Sequence, residues 1–194
     1  MIEYTDDQIV AGVRESIADA LKIPIDEVKR DSVLTDDLEA SSIDFVDIMF
    51  KLESKFDVSF HPGNPLDQLS ESFGPDSLVA QGVLTELGTE VVRRRLPEID
   101  ASKVTAGTPA VNVQALYTTD TWVRGVKELL AARPTACPAC GSQTLRPVRQ
   151  SVLLCEGCQA EVDCPSQDEL LASWAKRFQS LTDEGARGGE AEIA

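Results

Sequence analysis

The stretch DLEASSIDFVDIMFKLESKF, residues 37–56, decides the fold of this chain. Apolar residues recur in it at intervals of three and four, which predicts an amphipathic helix from about residue 42 to residue 56. Two serines, Ser41 and Ser42, stand where that helix begins, and a serine there can cap the helix and stabilise it by roughly 1 kcal/mol. The positions predicted to face the core are Ile43, Val46, Met49, Phe50 and Phe56, flanked by Phe45 and Leu52. The positions predicted to face water are Asp44, Asp47 and Glu53.

The same periodicity predicts further helices on either side. One covers residues 6–22, and a structured loop follows it after Pro24. Residues 57–75 contain three prolines and two glycines and are predicted to be a loop, followed by a helix near 77–95. A last helix of this part, TWVRGVKELLA, covers residues 121–131. Together these segments predict a small helical bundle.

The charge of the chain narrows its possible partners. The formal net charge is −15, and residues 1–60 hold fifteen acidic against six basic residues, a net of −9. Such a surface repels phosphate backbones, so we expect no binding to nucleic acid, and it attracts basic patches on proteins. No stretch has the apolar length of a membrane span, and MIEYTDDQIV has no secretory-signal pattern, so we expect a cytoplasmic protein.

The segment CPACGSQTLRPVRQSVLLCEGC, residues 137–158, carries two C-x-x-C pairs. Each pair directs two thiolates toward one centre, and the residues between the pairs are suited to a β-hairpin. Four thiolates give Zn²⁺ a closed, structural site, so the predicted ligands are Cys137, Cys140, Cys155 and Cys158. The spacing resembles a zinc ribbon. Rubredoxin-like iron and a redox-active dithiol are the alternatives, and Cys164 is not counted as a ligand.

A family resemblance rests on residues 37–58, DLEASSIDFVDIMFKLESKFDV, and on the upstream pattern I-D-E-V-x-x-D-S-x-L-x-x-D-L, residues 25–38. Both resemble acyl carrier proteins and related carrier domains. The resemblance is strong over about residues 6–60 and weaker over YTTDTWVRGVKELL, which is similar to the family's final helix. It implies a helical bundle whose serine carries a prosthetic arm.

In that family, a serine carries 4′-phosphopantetheine through a phosphodiester, and alignment on Ile43 and Asp44 places this role on Ser42. The preceding position, usually Asp in the family, is Ser41 here. The resemblance implies an acidic recognition face at Glu39, Asp44, Asp47 and Glu53. It also implies two kinds of partner: a pantetheinyl transferase, and acyl-processing enzymes with basic docking patches.

The sequence therefore predicts a mainly α chain: a carrier-protein-like helical bundle with an inserted helix, plus a small β zinc-ribbon module. The expected parts are a carrier-like domain over residues 1–133, with an insertion at about 57–118, the ribbon at 134–165, and a short amphipathic helix with a frayed tail at 166–194. The predicted function is a monomeric, non-enzymatic acyl carrier of lipid or polyketide biosynthesis, a phosphoprotein that binds zinc. The alternative is a carrier-like interaction adaptor that never receives the arm. The only histidine, His61, is interpreted as exposed and without a catalytic role.

Overall fold

The computed structural model describes residues 4–60 and 65–189, with side chains described through residue 181. Its helices are α1 (Asp6–Leu21), α2 (Ser42–Phe56), α3 (Pro65–Phe73), α4 (Glu86–Arg95), α5 (Thr119–Ala131) and α6 (Gln167–Gly189). Its strands are β1 (Val79–Ala80), β2 (Val83–Leu84), β3 (Leu145–Arg149), β4 (Val152–Cys155) and β5 (Glu161–Asp163). The predicted fold class, mainly helical with a small β module, is confirmed.

Helices α1, α2 and α5 form the central bundle. Helix α1 packs against both of the others, and Val13, Ile17, Ile48, Leu52 and Val126 are completely buried between them. The loop between α1 and α2 is pinned to the start of α5 by backbone hydrogen bonds, including Leu34 N–H to the Tyr117 carbonyl at 3.0 Å. The start of α2 is thereby fixed relative to α5.

The apolar face of α2 differs from the predicted one. Phe45, Ile48, Met49, Leu52 and Phe56 are buried. The predicted core positions Ile43, Val46 and Phe50 are instead 78%, 44% and 56% exposed. Apolar residues lie around much of this helix, and the positions of α1 and α5 decide which of them become buried.

The segment between α2 and α5 also differs from prediction. The predicted loop 57–75 contains α3, and the helix predicted near 77–95 begins only at Glu86. The preceding residues form the antiparallel pair β1–β2, joined by Gln81 and Gly82, whose φ angles are 52° and 80°. Two successive residues with positive φ make the tight turn that joins hairpin strands. His61 lies outside the described residues.

Helix α4 starts where Thr85 accepts a hydrogen bond from the Gly88 N–H at 2.9 Å. Gly88 packs directly on the backbone of the hairpin, since a Cβ atom there would overlap the carbonyl oxygen of Leu78. This contact fixes α4 against the β1–β2 pair. A second apolar cluster then joins α3 and α4 to α6 through Leu69, Val91 and Leu171.

Helix α6 extends further than the predicted short helix, to Gly189. Leu181, within this helix, is 69% exposed. Residues 190–194, the end of the predicted frayed tail, lie outside the described residues. In the part of the chain that the structure describes, no helix combines the length and apolar character that crossing a bilayer requires.

The cysteine segment forms a three-stranded antiparallel sheet in the order β3–β4–β5. The predicted hairpin corresponds to β3 and β4, with β5 added on the other side of β4. Its own apolar core is small and consists of Cys137, Leu145, Leu153, Cys155 and Val162.

Candidate functional site

Ser41 caps α2. Its backbone is extended, with φ −88°, and both its N–H and its hydroxyl donate to Asp44 Oδ2 at 2.7 Å. The S-x-x-D spacing that makes this contact possible is visible in the sequence as a capping signature. The Ser41 hydroxyl is therefore engaged in holding the helix start.

Ser42 is the first residue of α2, and its side chain is exposed. No hydrogen bond of its hydroxyl is found among the described residues. It sits in the first turn, where the free N–H groups and the helix dipole favour a negative charge. A phosphodiester on this oxygen would lie at the electropositive end of the helix.

The chain approaches these serines through a strained residue. Glu39 has φ 54°, in the left-handed region, and its side chain is exposed. This conformation costs a non-glycine residue roughly 1–2 kcal/mol, so surrounding contacts must hold it. One such contact is the hydrogen bond from the Ala40 N–H to the Leu34 carbonyl at 2.9 Å, which turns the chain into the helix start.

Asp44 gives a test of this cap. Hydrogen bonds from the Ser41 side chain and backbone hold the pKa of Asp44 below its ordinary value of 3.8. A carboxylate with a lowered pKa stabilises the fold above its unfolded pKa, and loses that effect as pH falls through the folded value. We expect Asp44→Asn to lower the free energy of unfolding by about 0.5–1 kcal/mol at neutral pH. The difference should vanish below the pKa of Asp44, as measured by urea unfolding at neutral and acid pH.

The control for this prediction is Asp47→Asn, because Asp47 is exposed one turn further along α2 and makes only a 3.8 Å ion pair with Lys51. It should change the free energy of unfolding by less than about 0.5 kcal/mol. An Asp44→Asn penalty of equal size at both pH values would contradict the capping role.

The predicted acidic recognition face is only partly present. Glu39 and Asp47 are exposed and Asp44 is half-buried. Glu53 is buried, and its Oε1 accepts the N–H of Phe60 at 2.8 Å. The prediction that Glu53 faces water is therefore wrong, because this carboxylate satisfies a buried backbone donor beyond the end of α2.

Sequence reasoning missed an exposed apolar stripe beside Ser42. Ile43, Val46 and Phe50 follow at spacings of three and four, so they lie on one face of α2. Their exposure depends on how α1 and α5 pack, so no local pattern could have separated them from the buried stripe. They form a surface with Asp47 that we call the α2 face, defined by Ile43, Val46, Asp47 and Phe50.

The four predicted metal ligands come together. The Sγ atoms of Cys137, Cys140, Cys155 and Cys158 all lie within 4.8 Å of one another. Cys137 and Cys158 are separated by 3.7 Å and Cys140 and Cys155 by 3.5 Å, too far for disulfides. Tetrahedral zinc with bonds of about 2.3 Å to sulfur requires sulfur atoms about 3.8 Å apart. The spacing and the donor set therefore fit a closed zinc site.

A tight turn at Gly141 shapes the first half of this cluster. Gly141, with φ 74°, donates its N–H to the Cys137 carbonyl at 2.8 Å. Burial opposes ionisation of Cys155, but hydrogen bonds from the Cys158 and Gly157 N–H groups and from the thiols of Cys140 and Cys137 together lower the pKa of this thiol to about 6. Backbone donors thus favour the thiolate that a metal needs. Cys164 lies outside the cluster and is half-buried, in keeping with its exclusion from the ligands.

The cysteine module contacts the end of α2. At the tip of its β3–β4 hairpin, the Ser151 N–H donates to Asp57 Oδ1 at 3.1 Å and Gln150 Nε2 donates to the Val58 carbonyl at 3.0 Å. The buried side chain of Arg133 donates to the carbonyls of Phe56 and Asp57, both at 2.6 Å. The predicted boundary at Arg133 thus carries a side chain that reaches back into the helical part.

Comparison with known proteins bears on the part of the chain around Ser42. Residues 11–70 match the family model described as "Phosphopantetheine attachment site". Residues 11–70 are therefore similar to phosphopantetheine attachment domains. The match takes in α2 with both serines, and it stops before α5 and the cysteine module.

Curated relatives of this domain are acyl carrier proteins. The chain is 42% identical over 55 residues to the acyl carrier protein of Petrotoga mobilis, which covers 28% of this chain and 65% of the relative. It is 44% identical over 46 residues to that of a Sulfurovum species, which covers 24% of this chain and 61% of the relative. The corresponding figures for Clostridium acetobutylicum are 44% over 46 residues, with 24% and 60% covered. The chain thus spans less than two thirds of each relative's length. No solved structure matches the chain.

Proposed function

We propose that this protein is an acyl carrier that holds its cargo as a thioester on a 4′-phosphopantetheine arm attached to Ser42. One observation carries the proposal: within the matched residues, Ser42 is exposed at the start of α2 and its hydroxyl has no hydrogen bond to any residue that the structure describes, while the Ser41 hydroxyl donates to Asp44. Phosphopantetheine supplies the thiol that carries the acyl group. This chain supplies the attachment oxygen and the positive end of a helix.

The α2 face is the surface on which partner enzymes dock. It begins next to Ser42 and combines exposed apolar side chains with Asp47, while Glu39 and Asp44 add negative charge nearby. A partner with a basic rim around an apolar patch would complement it. The reactions belong to those partners, and the chain acts as a monomeric cytoplasmic carrier without catalytic residues of its own.

The four-cysteine cluster holds one structural zinc ion in this proposal. All four coordination positions are taken by Cys137, Cys140, Cys155 and Cys158, so no position is left for substrate. The metal would act by holding the module together, and the module in turn rests on the end of α2 opposite to Ser42.

Intact-mass analysis tests the attachment. After incubation of the full chain with a pantetheinyl transferase and coenzyme A, we expect the mass to rise by one phosphopantetheine group. Ser42→Ala should abolish the gain completely, because it removes the proposed attachment oxygen. Ser41→Ala should keep the gain, because its hydroxyl serves the cap and not the attachment.

The two serine variants also separate the rival interpretations. A gain that survives Ser42→Ala but not Ser41→Ala would move the attachment by one residue. An unchanged mass with several transferases, and in protein purified from its own host, would refute the carrier function and favour the unmodified adaptor. Far-ultraviolet circular dichroism of both variants serves as the control for correct folding.

A further inference from the structure

A cavity of about 60 Å³ lies where α3, α4 and α6 meet the bundle at α5. Most of its lining is apolar and includes Leu66, Val92, Val113, Trp122 and Leu171. Tyr117 also lines it, and burial raises the pKa of this hydroxyl to about 12, as expected for a site with little water. None of the α2 residues lines the cavity, so it is separate from the attachment site.

Two hydrogen-bond donors in the cavity wall lack partners. Arg95 and Trp122 both line it and are 7% and 9% exposed. Arg95 Nε and Trp122 Nε1 are buried and have no acceptor among the described residues. A buried donor without a partner costs roughly 1–3 kcal/mol, so a bound acceptor would relieve a real penalty.

The charges around the cavity are already balanced. Arg95 makes a two-pronged ion pair with Glu128, whose other contact is Arg124 Nη1 at 2.9 Å. Arg124 also pairs with Glu98. Two cations therefore face two carboxylates, and an ionised ligand would lose its hydration without gaining a counter-charge. The acceptor that fits is a neutral oxygen.

The volume limits the ligand to a few atoms. A water molecule needs about 10–15 Å³ of cavity volume, so a cavity of about 60 Å³ has room for about four to six atoms of that size. A neutral carbonyl with a short apolar chain, of acetyl to propionyl size, meets the limits of size, polarity and charge together.

We propose that this cavity binds a small neutral carbonyl group with a short apolar chain, its oxygen accepting hydrogen bonds from Arg95 and Trp122. The group is either a free small molecule or the end of a group carried on the chain. The proposal does not depend on modification of Ser42, because the cavity exists in the unmodified protein.

The test follows the indole N–H of Trp122 by NMR in unmodified, ¹⁵N-labelled full-length protein. The chain has two tryptophans, so Trp174→Phe assigns the signal; Trp174 is not a lining residue, and phenylalanine keeps an aromatic ring beside Arg95. The probes are 2-butanone, propionate and sec-butylammonium, similar in size but neutral, anionic and cationic. We expect 2-butanone to shift the signal saturably with a Kd of about 10 mM, within reach for so few atoms. The two ions should bind at least about tenfold more weakly.

Trp122→Phe provides the matched variant, because it keeps an aromatic ring and removes the donor. Followed through the Gly125 backbone amide, which also lines the cavity, its affinity for 2-butanone should fall about five- to tenfold. No saturable shift with 2-butanone, or equal shifts with all three probes, would overturn the proposal, and a buried water would then be the acceptor. A propionyl group loaded on Ser42 that shifts the same signal would identify the carried group as the source. If free 2-butanone binds but the propionyl group on Ser42 leaves the Trp122 signal unchanged, the natural ligand is a free small molecule.

Discussion

Removal of metal from the four-cysteine cluster is expected to unfold residues 134–165 while the bundle of α1, α2 and α5 stays folded. The core of this module comprises only five buried side chains, two of them cysteines of the cluster itself. Binding of structural zinc is worth about 10–16 kcal/mol in small modules of this kind. So small a core does not replace that contribution.

The cleanest measurement combines zinc content with the NMR spectrum of the module before and after a chelator. Cys140→Ser should lower the zinc content well below one ion per chain and collapse the dispersed signals of β3, β4 and β5. The matched control is Cys164→Ser, the same change at a half-buried cysteine outside the cluster. Full zinc content in Cys140→Ser, or a module that keeps its spectrum without metal, would rule out the structural role.

The contacts at Asp57 predict which part of α2 changes when the cysteine module unfolds. Because Ser151 and Gln150 donate to Asp57 and Val58, unfolding of the module frees the C-terminal end of α2. Amide hydrogen exchange there should accelerate, while exchange in the first turn around Ser42 should not. Modification of Ser42 should therefore survive metal removal, which makes the two proposed sites separable by experiment.

Local signals explain why much of the fold could be predicted. The three helices of the central bundle have clear helical periodicity, and α2 has the S-x-x-D cap. The two C-x-x-C pairs likewise bring their own thiolates together through short turns. These features depend on residues a few positions apart, so the sequence displays them directly.

The predictions of secondary structure and burial that were wrong concern features set by distant contacts or by the conformation of a turn. The hairpin before α4 depends on positive φ at Gln81 and Gly82. Apolar residues at helical spacing in this segment led to the prediction of a helix instead. Exposure of Val46 and Phe50, and burial of Glu53, depend on elements far along the chain. The cavity at Trp122 needs four elements to come together, so no single segment predicts it.

Arg133 makes one such distant contact, and we expect it to contribute strongly to the free energy of unfolding. It follows α5, yet its guanidinium reaches the last carbonyls of α2, at Phe56 and Asp57, and lies 3.5 Å from Asp57 Oδ2. Carbonyls at the end of a helix have no partner within the helix. Here a single cation satisfies two of them at a point that also touches the cysteine module.

Arg133→Met should therefore lower the free energy of unfolding of the bundle by about 3 kcal/mol, measured by urea denaturation. Methionine keeps an apolar chain of similar length, so the loss reports the guanidinium and the carbonyls left buried without a donor. Arg30→Met is the matched control. Arg30 bridges to Asp120 at 2.8 Å, but its side chain is 62% exposed, so its removal should cost less than about 1 kcal/mol. Equal losses in the two variants would mean that Arg133 is an ordinary surface cation. A loss confined to Arg133→Met, with faster amide exchange at the C-terminal end of α2, would show that this one side chain ties α2, α5 and the cysteine module together.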